Sequence, residues 1–168
     1  MATETKQVDQ ETKVMEDVGG LDDESNETLK LIAGDNLVVE VSRKAALKSN
    51  VVKVALDSDA EAKEVPIPGV NGDILKLIAQ YMEHYKDSEP EEPDKPLKSA
   101  RLSEFCKSEY DAKFFEELSK NNRQLYDVVL AANYMDMKAL LHTACATVAC
   151  KIKGQPLEKI KDILAVSE

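Results

Sequence analysis

"TLKLIAGDNLVVEVS", residues 28–42, is where β structure enters this chain. Leu37, Val39 and Val41 fall on one face of an extended run, and Gly34-Asp35 reads as a two-residue turn in which glycine supplies the positive φ. The stretch predicts a β-hairpin. Ser42 then stands where an N-cap belongs, ahead of a short helix in "RKAALKS". "VVKVALD" (51–57) fits a strand or a helix. In "EVPIPGV" (64–70) two prolines interrupt β-branched residues, and a residue that donates no ladder hydrogen bond belongs on an edge strand or an extended segment.

Beyond the hairpin the pattern turns helical. Asn71 is placed to cap a helix carrying Ile74, Leu77, Ile78, Tyr81, Met82 and Tyr85 at helical spacing. "DSEPEEPDKPLKSA" follows, with three prolines and five acids among residues 87–98, and reads as a solvated, mobile loop. The remainder is helices only: "DAKFFEELS", "NRQLYDVVLAANYM" and "DMKALLHTACATVACKIK", the last stopped by Gly154 at a C′ position. "QPLEKIKDILAVSE" forms one more, with Pro156 near its first turn. This order predicts an α/β (α+β) domain, a small sheet on its N-terminal side running into a helical C-terminal extension.

Charge and composition narrow the function. The chain is 43% hydrophobic and 32% charged, a globular mixture able to bury a core. Residues 1–28 hold nine Asp or Glu against two Lys, so −7 of the net −10 belongs to this segment. With few apolar residues, 1–27 reads as a disordered acidic extension, a regulatory acidic arm being the functional alternative. A balance this acidic speaks against generic binding to nucleic acid or to an anionic membrane. No apolar run reaches membrane-spanning length, and "MATETKQVDQETK" lacks a signal peptide's apolar stretch. Three cysteines without a CxxC pair fit a reducing cytoplasmic or nuclear setting.

Catalytic patterns are missing. His84 and His142 have no Cys, Asp or Glu at zinc-ligand spacing and read as ordinary surface or helix-face histidines. No phosphate loop or nucleophile elbow occurs, and no cofactor or metal is expected. Cys106, beside the charged loop, is the cysteine expected to be exposed, and Cys145 a small core or interface residue. Met137, Leu140, Leu141, Ala144, Cys145, Val148, Ala149 and Ile152 form an apolar stripe at i, i+3, i+4, i+7. The preceding helix carries Leu125, Val128, Val129 and Ala132 on one face, with Tyr126 and Leu130 off it, and the last helix adds Ile160, Ile163 and Leu164. Such a stripe serves packing within the domain or a second chain, and so many apolar faces suggest a partner.

"LYDVVLAANYMDMKALLHTACATVACKIKGQ" closely resembles the corresponding segment of the S-phase kinase-associated protein 1 family, adaptors of SCF ubiquitin ligases. Its pattern is an aromatic-containing helix ending in LAANYLDI, then LL…C.TVA..IKGK. "VPIPGVNGDILKLIAQYMEHYKD" is similar to the family's V-P-[LI]-P-N-V segment and the helix after it. "YDAKFF" is similar to W-D-x-x-F-[LV], with Tyr110 for Trp, and "EPEEPDKP" stands at its acidic proline-rich loop. The resemblance covers about residues 28–164. It implies a BTB/POZ-type fold, with a core over 28–122 that includes the loop 86–98, and C-terminal helices over 123–168. It further implies a non-enzymatic bridge between a cullin N-terminal domain, met by Asn133 and Tyr134, and F-box proteins, met by Leu141, Cys145, Val148 and Ile152 and by Ile160 and Ile163. A divergent scaffold that self-associates, as a homodimer when unpartnered, is the alternative reading.

Two departures bear on this. The family continues past the helix equivalent to 156–164, whereas this chain ends at "LAVSE", so altered or weaker F-box binding is expected. K-G-K-T-P-E-E-I appears here as K-G-Q-P-L-E-K-I, so a modification reading that proline does not carry over.

Overall fold

The computed structural model describes residues 27–94 and 101–165. The acidic extension up to residue 26 and residues 95–100 of the proline-rich loop lie outside them. The hairpin forms as expected, with β1 (Thr28–Ala33) antiparallel to β2 (Val38–Ser42). Its turn differs from the two-residue reading. Beyond the Ile32–Val38 pair, Ala33 N–H donates to the Leu37 carbonyl at 2.9 Å, leaving a loop of Gly34, Asp35 and Asn36, and the positive φ of 63° falls on Asn36 rather than on glycine. This is the three-residue solution, a turn closed by one left-handed residue, and asparagine tolerates that conformation. Gly34 is needed for another reason: a Cβ there would lie 2.4 Å from the Pro68 carbonyl oxygen.

Ser42 caps α1 (Arg43–Ala46) by accepting from the Ala45 N–H, and Ser49 caps α2 (Asn50–Ser58), which resolves the strand-or-helix ambiguity of "VVKVALD". β3 (Glu64–Ile67) runs parallel to β1 on the sheet's edge, in the order β2-β1-β3. Its Pro66 is exposed while Val65 and Ile67 are buried, the placement an edge strand allows. α3 (Gly72–His84) has Asn71 at its N-cap, but the asparagine side chain makes no capping bond. The Asp35 carboxylate reaches across from the hairpin instead, accepting from Gly72 N–H at 3.1 Å and Leu37 N–H at 3.2 Å. Those backbone donors hold its pKa below the usual 3.8.

Short α4 (Leu102–Phe105) leads into α5 (Glu109–Ser119), α6 (Asn122–Tyr134), α7 (Lys138–Ile152) and α8 (Leu157–Leu164). Gly154 follows α7 with φ 74°, the left-handed stop expected of it. One core runs from Leu29 and Leu31 of the sheet through Ile78 and Met82 of α3 to Leu125, Val128 and Leu140. Among these, α3 is buried on more than one side, because it packs against β2 and α1 as well as α6. Beside it, Tyr110 stacks on His84 with ring centroids 3.5 Å apart, and Tyr85 donates to the buried Asp111 carboxylate at 2.8 Å. Burial raises the Asp111 pKa.

The described part of the acidic loop lies back on the body. Lys44 pairs with Asp87, Lys48 with Glu89, and Lys107 with Glu91 and Asp94, while His142 on α7 meets Glu92 at 2.6 Å. The acids the sequence offers to solvent thus find basic side chains of the folded domain.

Candidate partner-binding faces

The turn between α6 and α7 is built from hydrogen bonds that end one helix and aim the next. Asp136 N–H donates to the Asn133 carbonyl (3.2 Å) and Met137 N–H to the Ala132 carbonyl (2.9 Å), with Asp136 at φ 49°. This is a Schellman closure whose left-handed position holds an aspartate in place of the usual glycine. Two side chains of α2's N-terminus secure it. Ser49 Oγ, fully buried, donates to the Met135 carbonyl at 2.8 Å, and Asn50 donates to the Asp136 carboxylate at 2.8 Å.

The corner so fixed presents Asn133 and Tyr134 outward. Tyr134 is 42% exposed and its ring lies close over Gly69, where a Cβ would come within 2.6 Å of the ring carbons. One turn back, Leu130 is 67% exposed. Gly69, Asn71, Ile74, Asp127 and Leu130 border a shallow groove of about 90 Å³ beside it. Among the described residues, neither the Tyr134 hydroxyl nor the Asn133 side-chain amide makes a hydrogen bond. An apolar ring, a leucine and unused polar tips at one groove make a surface that gains by being covered.

A second face lies on α7 and α8. The single apolar stripe read from the sequence divides in two. Met137, Leu140 and Ala144 are buried in the core, whereas Leu141, Val148, Ala149 and Ile152 are half-buried and Cys145 is exposed. The core side also takes Thr143 and Thr147, whose hydroxyls donate to the carbonyls four residues back at 2.9 and 2.8 Å and so enter apolar surroundings satisfied. α8 packs on α7 yet buries none of its residues: Ile160 and Ile163 are half-buried, Leu157 and Leu164 exposed. It is held at the Ile163 carbonyl, which accepts from Tyr126 Oη (2.8 Å) and Asn122 Nδ2 (3.3 Å). Gly69, Asn122 and the role of Tyr126 escaped the sequence reading, since each depends on a neighbour distant in the chain.

The cysteines correct an expectation. Cys106 is half-buried, its thiol pushed up to about 12 by burial and by nearby Asp111, and Cys145 is the exposed one. Among the described residues no group of three or more His, Cys, Asp or Glu could hold a metal ion, and no helix is long and apolar enough to cross a membrane.

Residues 27–87, from β1 through α3, match the Skp1 family, tetramerisation domain. The S-phase kinase-associated protein 1 homolog of Tetrahymena thermophila is 38% identical over 139 residues, covering 83% of this chain and 82% of that protein. The chain belongs to the Skp1 family. The E3 ubiquitin ligase complex SCF subunit sconC of Arthroderma benhamiae is 35% identical over 134 residues, 79% of each chain. The sconC subunit of Talaromyces marneffei is 35% identical over 132 residues, 78% of this chain and 79% of that one. Membership accounts for the hairpin, edge strand and α3 as the part of a Skp1-family chain that the domain match covers. Of the two exposed faces of this Skp1-family chain, the α7–α8 face lies beyond that match, while the face at Tyr134 joins α6 to Gly69, Asn71 and Ile74 within it.

Proposed function

We propose that this chain is a non-catalytic adaptor of an SCF-type E3 ubiquitin ligase, acting in ubiquitin-dependent protein degradation in cytoplasm and nucleus. One partner is a cullin N-terminal domain at Asn133 and Tyr134, the other an F-box at Leu141, Cys145, Val148, Ile152, Ile160 and Ile163. The observation that carries the reading is the Tyr134 ring set on Gly69 beside exposed Leu130, a half-presented aromatic of the kind that anchors interfaces. The half-exposed stripe on α7 and α8 supports a second, separate partner. Relatives named as SCF subunits supply the assembly.

The test is co-purification with a cullin N-terminal domain and with an isolated F-box, for the wild type, Tyr134→Lys and Val148→Glu. The reading requires capture of both partners, loss of cullin alone in the first variant, and loss of the F-box alone in the second. A folded wild type that binds neither partner refutes it.

α8, none of whose residues is fully buried, favours one other reading, self-association through the same apolar stripe when no F-box is present. Sedimentation velocity then shows dimers that Val148→Glu dissolves. A monomer at all concentrations, with no F-box captured, excludes this.

A further inference from the structure

Three serines of the chain are followed by an acid at the next residue and again at the third: Ser58 by Asp59 and Glu61, Ser88 by Glu89 and Glu91, Ser108 by Glu109 and Asp111. Carboxylates at those two places after a hydroxyl are what a kinase with a basic substrate cleft selects, because opposite charge distinguishes chains of otherwise similar shape. The sequence does not separate the three. Their settings in the fold do.

Ser58 closes α2, and its hydroxyl donates to the Val54 carbonyl at 3.0 Å, so side chain and backbone are both committed to the helix. Ser108 is the half-buried N-cap of α5, and its third-residue acid is the buried Asp111, already bonded to Tyr85. Ser88 meets neither obstacle. It lies exposed beyond the end of α3, and residues 89–94 after it form no helix or strand. Its backbone is held: its N–H donates to the Tyr85 carbonyl at 3.1 Å, and its own carbonyl accepts from Lys48 Nζ at 2.8 Å. Its hydroxyl makes no hydrogen bond among the described residues.

The acids after Ser88 are also open to a cleft. Drawn out as an extended segment, alternate residues share a side, so Glu89 and Glu91 fall together, about 7 Å apart. Their side chains are 84% and 66% exposed. Each is paired with a lysine, Lys48 and Lys107, but ion pairs this exposed are weak, and a kinase's basic groups replace them at little cost.

Cations stand ready on the product side. Lys48 bonds the Ser88 carbonyl, and Lys44 Nζ lies 2.6 Å from the carboxylate of neighbouring Asp87. Asp87 and Glu89, the present partners of these two lysines, are exposed and return to water easily. A phosphate dianion with three acceptor oxygens between them outcompetes a single carboxylate for each ammonium group.

We propose that Ser88 is a phosphorylation site for an acid-directed serine kinase, and that the phosphate fastens the start of the acidic loop to α1 and the turn after it through Lys44 and Lys48. Ser88 Oγ forms a bond to the γ-phosphorus of ATP as the bond from that phosphorus to the β–γ bridging oxygen breaks. ADP leaves, and the hydroxyl proton passes to the kinase's catalytic aspartate. The proposal does not rest on the adaptor reading.

The test incubates the full chain with magnesium ATP and the catalytic subunit of casein kinase 2, beside Ser88→Ala and Glu91→Gln. Peptide fragmentation places the phosphate on Ser88 and leaves Ser58 and Ser108 unmodified. Ser88→Ala loses that phosphate, and Glu91→Gln acquires it about 10-fold more slowly, the loss of one charge-assisted contact. The ³¹P resonance of the purified phosphoprotein is then followed against pH, beside a phosphopeptide of residues 84–94. The second ionisation in the protein falls below that in the peptide, since two ammonium groups favour the dianion, and Lys44→Gln with Lys48→Gln restores the peptide value. The proposal is overturned by a wild type left unmodified at Ser88, by phosphate on Ser58 or Ser108 in its place, by Glu91→Gln reacting as fast as the wild type, or by equal ionisation in protein and peptide.

Discussion

Gly69→Ala tests whether the backbone under Tyr134 presents the ring. The new Cβ would lie 2.6, 2.7 and 2.9 Å from Cε2, Cδ2 and Cζ of Tyr134, against about 3.5–4.0 Å for relaxed carbon contact, so the ring must move by about 1 Å. Gly69 has no positive φ, so alanine adds no backbone strain. The ring is already 42% exposed and can swing outward. Losing its contact with residue 69 exposes on the order of 40 Å² of apolar surface, or about 1 kcal/mol at 25 cal/mol per Å². That lowers the melting temperature by roughly 2–4 °C. At the proposed cullin contact the displacement matters more. An interface tyrosine contributes on the order of 2 kcal/mol, and a ring 1 Å out of register keeps part of it, so affinity falls by about 10-fold. Calorimetric titration with a cullin N-terminal domain, beside a thermal melt, reads both quantities. If Gly69→Ala binds as the wild type does while Tyr134→Lys abolishes binding, the support of Gly69 is irrelevant and this reasoning fails.

Three other outcomes are expected. Ser49→Ala removes a buried hydroxyl bonded to the Met135 carbonyl and the Val52 N–H. It should lower unfolding free energy in urea by about 1–3 kcal/mol, and an unchanged midpoint would show that the corner does not depend on α2. Tyr126→Phe, taking one donor from the Ile163 carbonyl, should speed amide hydrogen exchange in α8 and leave α3 protected; uniform exchange would contradict the anchoring of α8 there. For Asp35 the folded pKa lies below the unfolded 3.8. Its contribution is therefore complete above that value and is lost as pH falls through the lowered folded one. Between pH 5 and pH 2 the wild type should lose more stability than Asp35→Asn, and parallel curves would remove Asp35 from that role.

Local signals read well where one segment sets its own structure. Ser42, the alternation through Val39 and Val41, the exposed Pro66 and the stop at Gly154 all appear where their chemistry placed them. Asn71 shows the limit: it occupies the cap position, but an aspartate 36 residues earlier supplies the hydrogen bond, and only tertiary proximity makes that partner available. The α7 stripe failed in part for a related reason. Periodicity marks a helix face as apolar, but not which part its own domain covers, and buried Thr143 and Thr147 look polar to any such count. Asn133 and Tyr134 stood out as polar and aromatic at a helix junction, whereas Gly69, 65 residues before Tyr134, carries no mark of its own.

The bond from Ser49 to Met135 spans 86 residues. At 5–20 residues per second, a ribosome needs roughly 4–17 s to make the second partner after the first. As the hairpin, then α2 and the edge strand are made during that interval, they lack the corner that buries the Ser49 hydroxyl. A nascent chain is therefore unable to offer Tyr134 on its finished support until synthesis has passed α6, and a chain interrupted before then exposes an unsatisfied helix start to the cell's quality control.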